Sequence, residues 1–162
     1  MPMRVSLRNG FYAGLLIALG IGIYLFQVWQ PERQVRLHSL QLVSAVERKA
    51  WSEVADFIDT TYADRWGHDR DLLVARLRAV LPYARNLHLD LIAPACNATA
   101  GEGQWSARIT VEADPNDVAA LIKERVNSLD APFELHWRRV GKPWEWKLVR
   151  VDNAALELPE GM

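Results

Sequence analysis

The chain has 162 residues, half of them hydrophobic, with 19 basic and 20 acidic side chains. It contains no Lys/Arg run or basic patch, which excludes nucleic acid as an expected partner. The single Cys96 excludes an internal disulfide, and His38, His68, His88 and His136 lack metal-ligand spacing, so neither a metal nor another cofactor is expected.

Residues 10–29, GFYAGLLIALGIGIYLFQVW, carry no charge over twenty positions. At about 1.5 Å per residue, a helix of this length spans the roughly 30 Å hydrocarbon core of a bilayer. The run is longer than a signal-peptide core and ends in bulky Leu25, Phe26 and Trp29 instead of a small-x-small cleavage site, so it reads as a retained anchor. Tyr12 and Trp29 stand where aromatic rings favour the headgroup region. Arg4 and Arg8 precede the run, and Arg33 and Arg36 follow it. The short leading tail favours a cytoplasmic N-terminus, which places the remainder outside the cytoplasm, or in the periplasm of a bacterium. The resulting division is a cytoplasmic tail at 1–9, a single-pass transmembrane anchor at 10–30, one domain at 33–155 and a loose tail at 156–162. Gly10, Gly14, Ala18 and Gly22 recur every four residues and form a stripe suited to close helix pairing, an expected route to a homo-oligomer.

Residues 31–162, all that follows the anchor, hold 17 of the basic residues and all 20 acids, and are mildly acidic. From Arg33 to about Thr61 the spacing predicts one helix, with Leu40, Val43, Ala50, Val54, Phe57 and Ile58 on its apolar face. A second helix starts near Asp69 as its cap, runs through Leu72, Leu73, Leu77, Val80 and Leu81, and ends at Pro82. Leu87, Leu89 and Leu91 alternate as a first strand. Ala98 to Gly103 turns, and Trp105, Ala107, Ile109 and Val111 mark a second strand. Asp114 followed by Pro115 reads as a cap and first position of a third helix, with Val118, Leu121, Ile122 and Val126 inward. Phe133, Leu135 and Trp137 form a third strand, and Gly141-Lys142-Pro143 turns into a fourth through Trp144, Trp146 and Leu148. An anchor followed by an antiparallel sheet packed on helices is an α+β arrangement.

Three stretches carry a family resemblance: Phe57-Ile58-Asp59-Thr60-Thr61-Tyr62-Ala63-Asp64, the following Arg65-Trp66-Gly67-His68-Asp69-Arg70 with its helix, and the last strand from Trp144 to Val151. Over roughly residues 35–155 the chain resembles the nuclear transport factor 2-like superfamily, which includes ketosteroid isomerase and polyketide cyclases. The resemblance implies a curved sheet wrapped around a helix, with a pocket at the open end of a cone. It covers lyases, isomerases, protein-interaction modules and subunits of secretion machinery, so it does not name an activity.

The inward strand positions hold no proton-transfer group. His136 and Arg138 fall on the outer polar face with Arg108, Lys147 and Glu112, a face suited to dimerisation. The helices contribute Asp59, Tyr62, Trp66 and His68 near the cone mouth, with Trp137 from the sheet. Asp59 and Tyr62 are three apart and would share a helix face. They read either as a polar cluster orienting a small ligand or as caps and packing around the loop, whereas Asp64 and Asp71 read as solvated acids. The leading expectation is a membrane-anchored, non-catalytic interaction or scaffold domain whose partners are the bilayer and other proteins. The rival is a small-molecule binder or lyase/isomerase-type enzyme, favoured by a cavity above about 300 Å³ reached by Asp59 or His68.

Overall fold

The computed structural model describes residues 7–156. Most of the expected cytoplasmic tail and C-terminal tail lies outside the described residues. Helix α1, Leu7–Val28, is followed after a bend by α2, Pro31–Glu47, and then by α3, Trp51–Phe57, and α4, Arg70–Val80. The strands are β1, His88–Ala98, β2, Glu102–Glu112, β3, Phe133–Arg139, and β4, Trp146–Asn153, with α5, Asp117–Asn127, between β2 and β3. All neighbouring strands pair antiparallel in the order β1-β2-β3-β4.

The long helix expected from Arg33 to Thr61 is two helices. The chain breaks at Lys49, whose φ is 57° and whose Nζ donates to the Ala84 carbonyl at 2.8 Å. Neither Gly nor Pro marks the break, so only the tertiary anchor reveals it. The packing face of α2 is also shifted from expectation. Val35, Leu42 and Ala45 are buried with Gln34 and Ser39, while Leu40 faces outward. Ser39 is accommodated because its hydroxyl donates to the Val35 carbonyl at 2.8 Å. The backbone of β2 approaches this helix so closely that a Cβ on Gly103 would lie 2.4 Å from Val35 Cγ2. Glycine is therefore what lets α2 lie in the sheet's concavity.

The core joins α2, α3 and α4 to the inner sheet face through Val35, Val54, Trp105, Trp137, Trp146 and Leu148. Strand β1 runs further than expected because a bulge between Ile92 and Ala95 admits Pro94 on an edge strand. The cap of α5 is Asn116 rather than Asp114: the Asn116 side chain accepts from the Ala119 amide at 2.8 Å. Asp114 instead accepts from Asn86 Nδ2. Asp69 caps α4 by accepting from the Leu72 amide, as its position suggests. Trp144 is outside β4 and 45 % exposed, unlike buried Trp146 two residues later.

Helix α1 stands away from this core. From Leu15 to Phe26 its large apolar side chains are exposed, and Gly14 and Gly22 have nothing within 4 Å of an added Cβ. Among the described residues no single helix is long and apolar enough to cross a membrane; Gly14–Gln27 reaches that standard only together with Pro31–Glu47, and the two are bent by 59°.

Candidate functional site

After Phe57 the chain leaves the helix and runs beside β4. Ile58 bridges Leu148, the Asp59 amide donates to the Leu148 carbonyl at 2.9 Å, and the Ala63 amide donates to the Val149 carbonyl at 3.2 Å. Asp59 and Tyr62 therefore do not share a helix face. Their side chains enter two separate clusters.

The first cluster is centred on Asp59. One carboxylate oxygen accepts from the Thr61 amide and hydroxyl, both at 2.8 Å, and the other accepts from Arg138 Nη2 at 3.1 Å. Arg138 also donates to Thr61 Oγ1 at 2.9 Å, which ties the sheet's outer side to the segment beside β4. Burial alone would raise the Asp59 pKa, but the Thr61 hydrogen bonds and Arg138 outweigh it and hold the carboxyl below its ordinary value. The stability linked to this depressed pKa is present above the unfolded-state value of about 4 and disappears as pH falls through the lower folded-state value. Asp59→Asn is expected to destabilise the fold at neutral pH and to match the wild type in strong acid. Equal thermal shifts at both pH values would contradict this assignment.

The second cluster is centred on Asp64, which corrects its reading as a solvated acid. Its side chain is 1 % exposed and that of His68 is 9 % exposed. Asp64 Oδ1 accepts from the Trp66 and His68 amides, both at 2.9 Å. Oδ2 accepts from His68 Nδ1 at 2.9 Å and from the Tyr62 hydroxyl at 3.3 Å. Burial first, and then the Asp64 charge, push the Tyr62 hydroxyl pKa well up. Trp66 Nε1 donates to the Leu156 carbonyl at 3.1 Å, and Arg65 Nη1 donates to the Asn153 carbonyl at 3.1 Å. Tyr62, Trp66 and His68 are thus brought together, but they lock a loop against the end of β4.

Trp137 is elsewhere. Its ring meets those of His38 and Phe57 edge-on at 5.8 and 6.3 Å, and its buried Nε1 has no hydrogen-bond partner among the described residues. His38 Nδ1 donates to the Gln34 carbonyl at 2.8 Å.

A cleft of about 470 Å³ lies on the sheet's outer side, lined in part by Asn97, Gln104, His136, Arg138 and Arg150. Of the expected pocket residues Trp137 lies along it, whereas Asp59, Tyr62, Trp66 and His68 are not among its lining residues. His136 Nε2 lies 3.7 Å from Glu134 and 4.0 Å from Asp152, and Arg150 pairs with Asp152 at 2.6 Å. These groups form a cross-strand row because His136 lies opposite both Gln104 and Arg150 in register. Alternation along the strands signalled the polar outer face, but not this concavity.

No family profile matches the chain, and no curated protein matches it. Solved structures do. A protein of unknown function from Pseudomonas putida KT2440, described as NTF2-like, superposes with a TM-score of 0.59 at 10 % identity over 80 % of this chain and 89 % of that one. The fold is nuclear transport factor 2-like. A second protein with this fold, a proposed dehydratase of the NTF2-like family from Streptomyces avermitilis, gives 0.58 at 12 % identity over 78 % of this chain and 96 % of that one. Bdellovibrio bacteriovorus Bd1075 gives 0.59 at 12 % identity over 76 % of this chain. The present chain spans only 41 % of that protein's length. These identities carry the nuclear transport factor 2-like fold and no activity.

Proposed function

We propose that this chain is a single-pass membrane protein whose nuclear transport factor 2-like domain lies outside the cytoplasm and acts in binding, without catalysis. The observation that carries the proposal is the exposure of α1: its apolar side chains stand clear of the domain core, a surface that water disfavours and a bilayer accepts. The polar residues nearest the expected cone mouth support the non-catalytic part, because Asp59, Asp64 and His68 are engaged with one another's loops and with Arg138.

The full-length protein should remain in the membrane pellet after an alkaline carbonate wash, and protease added to intact spheroplasts should digest its domain. Release by carbonate would overturn the anchor, and protection from protease would overturn the orientation.

A second reading draws on the outer cleft, where His136 and Arg150 share acidic neighbours, and on the dehydratase proposed for the Streptomyces avermitilis relative. In it, the cleft binds a small polar molecule. A compound that raises the melting temperature of the native chain but not of Arg150→Ala would favour this reading over the first.

A further inference from the structure

The end of the domain nearest α1 presents a small aromatic and basic surface. Trp29, just past α1, meets Trp144 of the β3–β4 loop with ring centroids 5.7 Å apart. Lys142 Nζ lies 5.6 Å from the Trp144 ring centre, within cation–π range. Both tryptophans are substantially exposed, as is Val140 in the same loop. Their exposure is held by a built turn. The Val140 amide donates to the Glu145 carbonyl at 2.8 Å, and Gly141 adopts a φ of 90° that other residues resist.

The β1–β2 turn is at this same end, because the Arg139 amide donates to the Gly101 carbonyl at 2.8 Å. The first turn of α2 is nearby, with Cys96 Sγ donating to the Glu32 carbonyl at 3.3 Å. Arg33, Arg36, Arg139 and Lys142 are exposed here, facing only Glu32, Glu102 and Glu145 as acidic neighbours on these segments. An excess of cations with exposed tryptophans is the chemistry that suits an anionic headgroup layer. Folded cores do not ordinarily leave two tryptophans in mutual contact half in water.

We infer that the β3–β4 loop, through Val140, Lys142 and Trp144, is a second membrane contact that seats the domain on the lipid headgroups beside its anchor. The inference rests on the anchor reading above and adds a fixed posture to it. A single helix joined to a domain by a short bend leaves that domain free to tilt, whereas a second contact removes the freedom. The opposite end, where the Asp64 loop closes against the end of β4, then points away from the bilayer.

The test uses the full chain in vesicles of phosphatidylcholine and phosphatidylglycerol. Cys96→Ser removes the native thiol, and a nitroxide is attached at Val140→Cys or, as a control on the far helix α5, at Glu124→Cys. Collision with oxygen relative to a water-soluble nickel chelate reads depth. The expected result is a ratio shifted toward the lipid at 140 and a water-like ratio at 124, with Trp144→Ala returning 140 toward the aqueous value. Vesicle-bound protein with water-like ratios at both positions would overturn the loop contact and leave the anchor standing. Protein that does not float with the vesicles would overturn the anchor and the loop contact together. A lipid-like ratio at 140 that Trp144→Ala does not change would overturn the part assigned to Trp144.

Discussion

Asp64→Ala is expected to lower unfolding free energy by about 3 kcal/mol, because it strands donors that have no water to turn to. Four hydrogen bonds converge on this carboxylate: the Trp66 and His68 amides, His68 Nδ1 and the Tyr62 hydroxyl. With the acceptor gone, the loop cannot keep Trp66 over Leu156 and Arg65 on Asn153 without leaving buried N–H groups unmet. For a domain of this size the loss corresponds to roughly 10 °C in melting temperature. Asp71→Ala is the matched control: Asp71 is exposed in the first turn of α4, and its removal should cost less than about 0.5 kcal/mol. Thermal unfolding of the detergent-solubilised chain, followed by circular dichroism, checks both. Similar melting temperatures for the two variants would show that the Asp64 network is not structural.

Trp146→Ala should cost about 3–5 kcal/mol, the range for removing a fully buried tryptophan ring from a core. Its ring is 2 % exposed within the core that joins the sheet to α2 and α3, and its Nε1 donates to the Pro143 carbonyl at 2.9 Å, closing the loop that carries Trp144. Truncation removes both packing and the loop's internal tie. Trp144→Ala, two residues earlier, should change stability by less than about 0.5 kcal/mol because that ring is half exposed. Denaturant midpoints for the pair separate the two roles. A small loss for Trp146→Ala would mean that the sheet–helix core can collapse around the missing ring.

The contrast between these tryptophans shows what local pattern can and cannot convey. Alternation with Trp146 and Leu148 assigns Trp144 to the same inward face, yet β4 starts only at Trp146, and the turn held by Glu145 throws Trp144 outward. Asp64 and Asp71 likewise look alike as isolated acids. One is buried because a five-residue loop folds back on its carboxylate, and the other sits on a helix surface. Burial of a polar residue depends on partners distant in the chain, and composition does not reveal them.

The period-two alternation of β2 and β3, the Asp69 cap, the Gly141 turn and the uncharged run before Gln30 are local properties, and the sequence by itself determined them. They suffice for an α+β arrangement; the nuclear transport factor 2-like form was implied by the resemblance of residues 57–70 and 144–151. The break at Lys49, the shift of the α2 face to Val35 and Leu42, the Asn116 cap and the meeting of Arg138 with Asp59 were decided only by the tertiary structure. Each of these turns on which carbonyl, amide or ring the folded chain brings within a few ångströms; Lys49 and Ala84, 35 positions apart, and Asp59 and Arg138, 79 apart, become neighbours there. Hydrophobic periodicity suggests a face, whereas a close contact such as that of the Val35 side chain on the Gly103 backbone decides which residues of that face are buried.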